Sequence, residues 1–218
     1  DTSKILSTYG NAFMLRTDSD KKLDQFKKYS SIPIINGLSP SSHPTQVLSD
    51  IFTIQEIKKK SISKLKLCWI GDANNNMMNS LVEACIKFSV YLNIACPKSY
   101  QPNKKLISLI KKQKGKIKIF NKKEIAIKNS DVVMTDKIIS LNDKVNKKKK
   151  LKSFKNFKVD TKTMNLAKKD AIFLHCLPRG NEVTEEVFLG KQSKVWQQAL
   201  NRVYVQKSIL LYCFGKLR

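Results

Sequence analysis

The chain has 218 residues with a formal net charge of +25, because 42 lysines and arginines outnumber 17 aspartates and glutamates. A hydrophobic content of 41% excludes a disordered chain and supports one large domain, or one domain plus part of a second. The longest apolar run near the C-terminus, 209–214, is too short to cross a bilayer, and no signal-peptide pattern is present. The five cysteines form no CxxC pair, which predicts reduced thiols, a cytoplasmic location, no membrane association and no zinc site.

The first part of the chain predicts pieces of an α/β unit. We expect a helix over 1–12, a strand at 13–17, a helix over 21–29 and a strand at 31–37. Two strands and two helices make too small a core to stand alone, so we expect the remnant of a larger domain whose front is cut off. Pro44 then begins a helix that reaches about Lys59 and bridges to the next unit.

From Lys64 onward, short apolar runs alternate with helical patterns. The expected strands are 64–71, 91–96, 116–120, 131–135 and 171–175. Helices are expected over 77–88, from Pro102 to a C-terminal Gly115, over 123–128, in the lysine-rich stretch and near Met164. This alternation predicts an α/β fold, a doubly wound parallel sheet domain of about five strands.

Polar clusters follow three of these strands, at the edge where open parallel sheets bind ligands. They are GDANNN (71–76), Asp136 with Ser140, and His175 with Cys176. GDANNN alone is also typical of an ordinary strand-to-helix turn. It lacks the glycines of a dinucleotide fingerprint, and no phosphate loop is present, so we expect no nucleotide cofactor. His43, beside a helix N-terminus, suits an anion, or it is a plain capping residue.

The basic stretch 144–158 has Phe154 and Phe157 between its lysines, a composition that could bind nucleic acid by charge and stacking. The alternative is a solvated basic surface with two core aromatic residues. We favour the second interpretation, because lysines are spread over the whole chain and no nucleic-acid-binding signature is present.

Taken in order, several motifs resemble those of the ornithine carbamoyltransferases. They are INGLSPSSHPTQVLSD, WIGDANN, DVVMTDKIIS, HCLP and NRVYVQK, spread over essentially the whole chain. The resemblance implies a carbamoyl phosphate domain, of which 1–45 is the remnant, an ornithine domain at 46–194, and a C-terminal helix at 195–218 that returns to the first domain. It also implies a homotrimer with shared active sites, a role in arginine biosynthesis, and no metal or organic cofactor.

The same resemblance implies a site for each substrate of citrulline formation. The residues expected to bind carbamoyl phosphate are Arg16, His43, Gln46, Cys176, Leu177 and Arg202. Those expected to bind L-ornithine are Asn75, Asp136, Ser140 and Leu141. Cys176, Asp136, Arg202 and His43 are the expected catalytic residues. His175, on the opposite face of its strand from Cys176, is expected to orient a loop or to contact carbamoyl phosphate.

Departures from the family pattern are few. The family's Ser-Met-Gly is Ser140-Leu141-Asn142 here, its Glu before Asn-Arg is Leu200, and the loop after HCLP is short. The family's Ser-Thr-Arg-Thr-Arg phosphate loop would precede residue 1, so we expect the 218-residue piece alone to be inactive or nearly so. Carbamoyl transfer to another amine such as putrescine, a Cys–His hydrolase using Cys176 and His43, and a basic nucleic-acid-binding protein are the alternatives.

Overall fold

The computed structural model describes residues 1–139 and 146–217, and these residues form an α/β fold. The helices are α1 (Thr2–Leu6), α2 (Asp20–Tyr29), α3 (Pro44–Lys58), α4 (Asn76–Lys87), α5 (Lys104–Lys112), α6 (Lys123–Ala126), α7 (Lys147–Ser153), α8 (Thr161–Met164), α9 (Glu185–Leu189) and α10 (Val195–Cys213). The strands are β1 (Phe13–Arg16), β2 (Ile34–Leu38), β3 (Lys66–Ile70), β4 (Tyr91–Ala95), β5 (Ile117–Phe120), β6 (Val132–Thr135) and β7 (Ile172–His175). No helix in these two ranges is long and apolar enough to span a membrane.

The larger sheet has five parallel strands in the order β5-β4-β3-β6-β7, which confirms the predicted fold class. Because every strand runs the same way, all five carboxyl ends lie on one edge. The chain winds outward from β3 to β5 and then returns to place β6 on the other side of β3. The gap between the ends of β3 and β6 is therefore a topological switch point, where sheets of this type bind ligands.

Each face of this sheet is covered by its own apolar layer. On β3, Leu67 and Trp69 pack into one buried cluster, whereas Cys68 and Ile70 belong to a second. Alternate residues of a strand point to opposite faces, so a strand buried on both sides must be apolar throughout. This arrangement explains the continuous apolar run LCWI at 67–70, which follows Lys66 at the start of β3, and it matches a doubly wound sheet.

The N-terminal residues form a separate two-stranded parallel sheet, β1 beside β2. α3 contacts β2, α4 and α10, so it connects this small sheet to the larger one. The predicted helix over 1–12 was too long, because α1 ends at Leu6. The hydroxyls of Ser7 and Thr8 donate to the carbonyls of Ser3 and Ile5, and such local bonds favour a turn over further helix.

The ends of α5 also differ from the prediction. Asn103, not Pro102, caps the helix, with its Oδ1 accepting the Leu106 N–H at 3.0 Å. The left-handed residue after the helix is Lys114, with φ of 50°, and not Gly115. Gly115 is instead a close-packed position, since a Cβ there would lie 3.2 Å from Ile86 Cγ1.

The basic stretch is partly a core element. Phe154 and Phe157 are buried in the second apolar cluster, with ring centroids 6.1 Å apart, and Lys150 is buried as well. Two buried rings are not available to stack on bases. This confirms the interpretation that the aromatic residues belong to the core, and it removes the stacking surface on which the nucleic-acid alternative depended.

Candidate active site

A cleft of about 170 Å³ opens where β6 and β7 end, beside the first turns of α3 and α4. Because Asn76 and Met77 follow β3 and Asp136 follows β6, the cleft lies at the switch point of the large sheet. The lining residues are Arg16, Leu38, His43, Gln46, Asn76, Met77, Asp136, Lys137, Cys176, Leu177, Pro178 and Arg202. Segments that are far apart along the chain, from β1 to α10, thus share one opening.

Most residues predicted to bind carbamoyl phosphate or ornithine line this cleft. The exceptions are Asn75, Ser140 and Leu141. Ser140 and Leu141 lie outside the described residues. Asn75 is the N-cap of α4, where its Oδ1 accepts the Met78 N–H at 2.8 Å and its Nδ2 donates to the Asp72 carbonyl at 3.2 Å. Its side chain is therefore occupied with local structure, and it is not one of the lining residues.

Other lining residues were not predicted as site residues. Asn76 directly follows the predicted residue Asn75, and Lys137 follows Asp136. Both could therefore have been predicted from their position just beyond a strand. Asn76 also donates to the Ser39 carbonyl at 2.9 Å, which links α4 to the chain before α3. Leu38 and Met77 have the pattern of core residues in the sequence, and only the fold shows that they reach the opening.

His43 precedes α3, and its backbone N–H donates to Ser80 Oγ at 2.8 Å. Burial, helped by the positive charges of Arg202 and Arg16, lowers the pKa of His43 to about 4. The imidazole is therefore neutral at pH 7, with one ring nitrogen that can donate a hydrogen bond. Next to the positive end of a helix, this donor suits an oxygen of an anionic ligand.

Two guanidinium groups lie near His43. Arg16 ends β1 and Arg202 belongs to α10, and both line the cleft. Arg202 Nε is buried without a hydrogen-bond partner in the described part of the chain. Guanidinium groups bind phosphate and carboxylate oxygens through paired N–H donors, so this end of the cleft suits an anion.

Asp136 supplies the opposite charge, just beyond β6. Its Oδ1 accepts the Lys137 N–H at 2.7 Å. Burial raises the pKa of Asp136 to about 6, against the lowering effect of that hydrogen bond. The carboxylate is ionised at neutral pH and can accept hydrogen bonds from an ammonium group.

Cys176 follows β7 and is buried at the wall of the cleft. Burial, with the nearby negative charges of Asp50 and Asp136, raises the pKa of the thiol well above its usual range. Cys176 is therefore a neutral thiol at physiological pH, not a thiolate nucleophile.

His175 points away from Cys176, as the alternation of a strand requires. Its Nε2 lies 2.8 Å from Glu182 Oε1, and the same carboxylate accepts the Gly180 N–H. His175 thus holds the loop that carries Leu177 and Pro178, which are joined by a cis peptide bond, at the rim of the cleft. This agrees with the prediction that His175 orients a loop.

The two kinds of group are arranged so that an anion and an amine can bind side by side. Arg16, Arg202 and neutral His43 supply donors for the anion, and Asp136 supplies an acceptor for the amine. The protonated Cys176 lines the same cleft, and the charges of both Arg202 and Asp136 act on it. In the ranges that the structure describes, no group of three or more His, Cys, Asp or Glu side chains could hold a metal ion.

Both parts of the chain match models of one protein family. Residues 1–56 match the aspartate/ornithine carbamoyltransferase carbamoyl-P binding domain, and residues 63–213 match the Asp/Orn binding domain of the same family. The chain belongs to the aspartate/ornithine carbamoyltransferase family. The gap between the two matched regions, 57–62, covers the end of α3 and the segment that follows it.

Similar proteins are named ornithine carbamoyltransferase. One from Caldicellulosiruptor saccharolyticus is 43% identical over 100% of this chain and 72% of its own length, and one from Staphylothermus marinus is 40% identical over 96% and 69%. The structure is similar to anabolic ornithine carbamoyltransferase from Campylobacter jejuni, with a TM-score of 0.92, 38% identity and coverage of 99% of this chain and 73% of that one. The Pyrococcus furiosus ornithine carbamoyltransferase has a TM-score of 0.90 and 36% identity, with coverage of 100% and 71%.

Membership of the carbamoyltransferase family fits the chemistry of the cleft better than the hydrolase alternative. A Cys–His hydrolase needs a thiolate and a histidine that can take its proton. Here the pKa of Cys176 is raised and the pKa of His43 is lowered, so the thiol keeps its proton and the imidazole stays neutral. Neither group is prepared for nucleophilic catalysis.

Proposed function

We propose that this carbamoyltransferase-family chain binds carbamoyl phosphate and L-ornithine in the cleft and transfers the carbamoyl group to the δ-amine, giving L-citrulline and phosphate. One observation carries the proposal: guanidinium groups from β1 and α10 and uncharged donors at the start of α3 meet an ionised carboxylate and a neutral thiol from the ends of β6 and β7 in one opening. The names of the similar proteins support ornithine as the amine.

In the proposed reaction, the neutral δ-amine attacks the carbonyl carbon of carbamoyl phosphate. A new C–N bond forms, the carbonyl oxygen becomes an oxyanion, and the C–O bond to phosphate then breaks. The amine proton leaves with the phosphate or the solvent. Arg16, Arg202 and the His43 N–H are suited to stabilise the phosphate and the oxyanion, because fixed donors act most strongly where negative charge develops.

The amine must also be held in line with that carbon. Asp136 is suited to bind the α-ammonium group of ornithine, and Cys176 is suited to lie against the δ-amine as a polarisable, uncharged wall. Gln46, which lines the anion end, is suited to bind the carbamoyl group. Leu177, beside Cys176, can offer its carbonyl oxygen to the carbamoyl nitrogen. Asn75, Ser140 and Leu141 remain expected ornithine contacts by resemblance.

The proposal is tested with an ornithine–phosphonate bisubstrate analogue, whose two ends correspond to the two substrates. Calorimetry should show one analogue bound per chain, and Arg16→Gln or Arg202→Gln should weaken binding by about 10- to 100-fold, since hydrogen bonds to charged groups are being removed. Lys118→Gln removes the same charge from an exposed position on β5 and should leave affinity unchanged. Binding is the primary readout because it reports on the site whatever the rate of turnover.

Two results would contradict the proposal. The first is no analogue binding by the unaltered chain. The second is equal loss of affinity in the arginine variants and in Lys118→Gln, which would indicate attraction by net charge alone. Putrescine that displaces the analogue as well as L-ornithine does would favour the alternative amine. Citrulline formation from carbamoyl phosphate and L-ornithine then tests the transfer itself.

We also infer a homotrimer in the cytoplasm, as the resemblance implies. The thiols of all five cysteines are free, which agrees with a reducing compartment. Light scattering in solution tests the assembly: a trimer has three times the 24.9 kDa mass of one chain. A single-chain mass with full analogue binding would contradict it.

A further inference from the structure

A chain of buried hydrogen bonds runs behind the cleft, and Asp50 lies at its centre. Asp50 is on α3, has 0% exposure, and does not line the opening. Its Oδ1 accepts two amide N–H groups, from Gln46 Nε2 at 2.8 Å and from Gln198 Nε2 at 2.7 Å. Gln198 Oε1 in turn accepts the backbone N–H of His175 at 3.0 Å.

The carboxylate decides which way both amides face. An ionised carboxylate only accepts hydrogen bonds, so each amide must turn its nitrogen toward Asp50. For Gln198, this leaves Oε1 toward β7, where it meets the His175 N–H. For Gln46, one N–H is used by Asp50, and the second N–H and Oε1 are left for the cleft that Gln46 lines.

Both ends of the chain of bonds therefore reach the proposed site. One end is the Gln46 amide, beside the anion-binding groups. The other is the backbone of His175, which directly precedes Cys176. Arg202 lies one helical turn beyond Gln198 on α10, so the Gln198–Asp50 bond also helps to set the rotation of the helix that brings Arg202 to the cleft.

We propose that Asp50 is a positioning residue with two effects. It orients the Gln46 amide toward carbamoyl phosphate. Through Gln198, it also fixes the position of the His175 backbone, and thereby that of Cys176, relative to α3. This inference rests on the proposed function. Asp50 itself touches no substrate, and it acts through the two glutamine amides.

The charged groups around Asp50 affect whether its carboxyl group is ionised. Arg202 on α10, Asp136 after β6 and Cys176 after β7 all act on it electrostatically. Burial raises the pKa of Asp50 to about 6, although the bonds from Gln198 and Gln46 lower it. Below pH 6 the carboxyl gains a proton and becomes a weaker acceptor, so both amides are held less firmly.

Three variants test whether binding depends on the orientation of the two amides or only on the stability of the fold. Asp50→Leu leaves both amides without an acceptor. Gln198→Glu places a carboxylate against that of Asp50, while an oxygen still faces the His175 N–H. The double variant Asp50→Asn with Gln198→Glu reverses the donor and the acceptor. Because Gln46 and Gln198 both donate to Asp50 Oδ1, the amide nitrogen introduced at position 50 must take the place of that oxygen. One of its N–H groups can then donate to the carboxylate introduced at position 198, and the other to Gln46 Oε1, which turns the Gln46 nitrogen toward the cleft.

We expect Asp50→Leu and Gln198→Glu to weaken binding of the bisubstrate analogue at pH 8 by about tenfold or more, because buried polar groups lose their partners. The loss of affinity in Gln198→Glu, measured relative to the unaltered chain at the same pH, should become smaller toward pH 5.5, where the two carboxylates can share a proton. The double variant should bind better than Gln198→Glu, a non-additive rescue typical of residues in direct contact, but more weakly than the unaltered chain, because its Gln46 amide is reversed.

Thr53→Val is the matched control. Thr53 lies one turn further along α3 and accepts from Asn201 Nδ2 at 2.9 Å in the same α3–α10 contact, without reaching Gln46 or His175. It should lower the melting temperature and leave analogue affinity unchanged. Side-chain amide NMR signals of Gln46 and Gln198 should also shift together as Asp50 titrates.

The outcomes are distinct. Unchanged affinity in Asp50→Leu, or a double variant that binds no better than Gln198→Glu, overturns the positioning role while leaving the proposed function intact. Loss of affinity in Thr53→Val equal to that in Asp50→Leu shows a structural role only and also overturns it. An unaltered chain that binds no analogue refutes the proposed function, and the positioning role with it.

Discussion

Lys150 Nζ lies 2.7 Å from Asp72 Oδ2, and both side chains are almost fully buried. Asp72 belongs to the turn between β3 and α4, where its Oδ1 also accepts the Asn74 N–H at 2.9 Å. Lys150 is the last of four consecutive lysines in the basic stretch, and its Nζ lies 5.5 Å from the centroid of the Tyr100 ring. One lysine of a basic run is thus a core residue that ties α7 to the turn beside the cleft.

Breaking this ion pair should be costly. Lys150→Met leaves the Asp72 carboxylate buried without its cation, and we expect the free energy of unfolding to fall by about 3–5 kcal/mol. Urea denaturation measures the change. Lys149→Met, at an exposed neighbouring position, should have almost no effect. Adding Asp72→Asn to Lys150→Met should recover much of the loss, and equal stability of the two lysine variants would contradict the assignment.

His43 should stay neutral through the physiological range. The pKa of His43 is near 6.5 in the unfolded chain and about 4 in the folded chain. Between these values the unfolded state binds more protons, so stability falls as the pH drops from 6.5 to 4, by up to about 3 kcal/mol. His43→Gln should remove this part of the pH dependence. With only two histidines, NMR can follow the ring directly, and a midpoint near 6.5 would argue against the prediction.

Asp136 should make analogue binding depend on pH. Its carboxyl is protonated below about pH 6, so affinity for a ligand with an α-ammonium group should rise as the pH increases through 6. Asp136→Asn should lower affinity at pH 8 by about 10- to 100-fold, because a charged hydrogen bond is lost. Calorimetry at pH 5.5 and pH 8 compares the two proteins. Equal affinities at pH 8 would show that the carboxylate does not bind the amine.

Lys137 should favour ornithine over amines that lack a carboxylate. It lines the cleft beside Asp136, so its ammonium group can reach the α-carboxylate of an amino acid. The analogue shares this carboxylate, so its own affinity for each protein is measured first and used to obtain the dissociation constants of the competing amines. Lys137→Met should raise the dissociation constant of L-ornithine about tenfold, as expected for one charged hydrogen bond, and should leave that of putrescine unchanged. A parallel loss for both amines would exclude a role in choosing the substrate.

Cys176 should resist alkylation even though it borders the cleft. Alkylation requires the thiolate, and the raised pKa of Cys176 keeps it protonated. Iodoacetamide at pH 8 should modify the half-exposed Cys213 first, as peptide mass spectrometry can show. Cys213→Ser should abolish this early modification. Rapid labelling of Cys176 in the folded chain would instead favour a nucleophilic role.

Much of the fold could be predicted because it depends on local periodicity. The alternation of apolar runs with helical stripes indicated the parallel sheet, and its strand ends indicated where Asp136 and Cys176 would lie. The ends of α5 could not be predicted in the same way. Lys114, rather than Gly115, is left-handed, and Gly115 instead packs closely against Ile86, a contact that exists only once α4 and the end of α5 meet.

The sequence by itself determined the fold class, the family and most of the residues that reach the cleft. Strand period, cap chemistry and motif order can all be seen in the order of residues along the chain. The tertiary structure alone decided the charge states of His43, Asp136 and Cys176. It also decided that Asp50 and Lys150 are buried partners of Gln198 and Asp72. These features depend on loss of water and on contacts between segments far apart along the chain, and no local pattern of residues encodes how much solvent remains around a side chain.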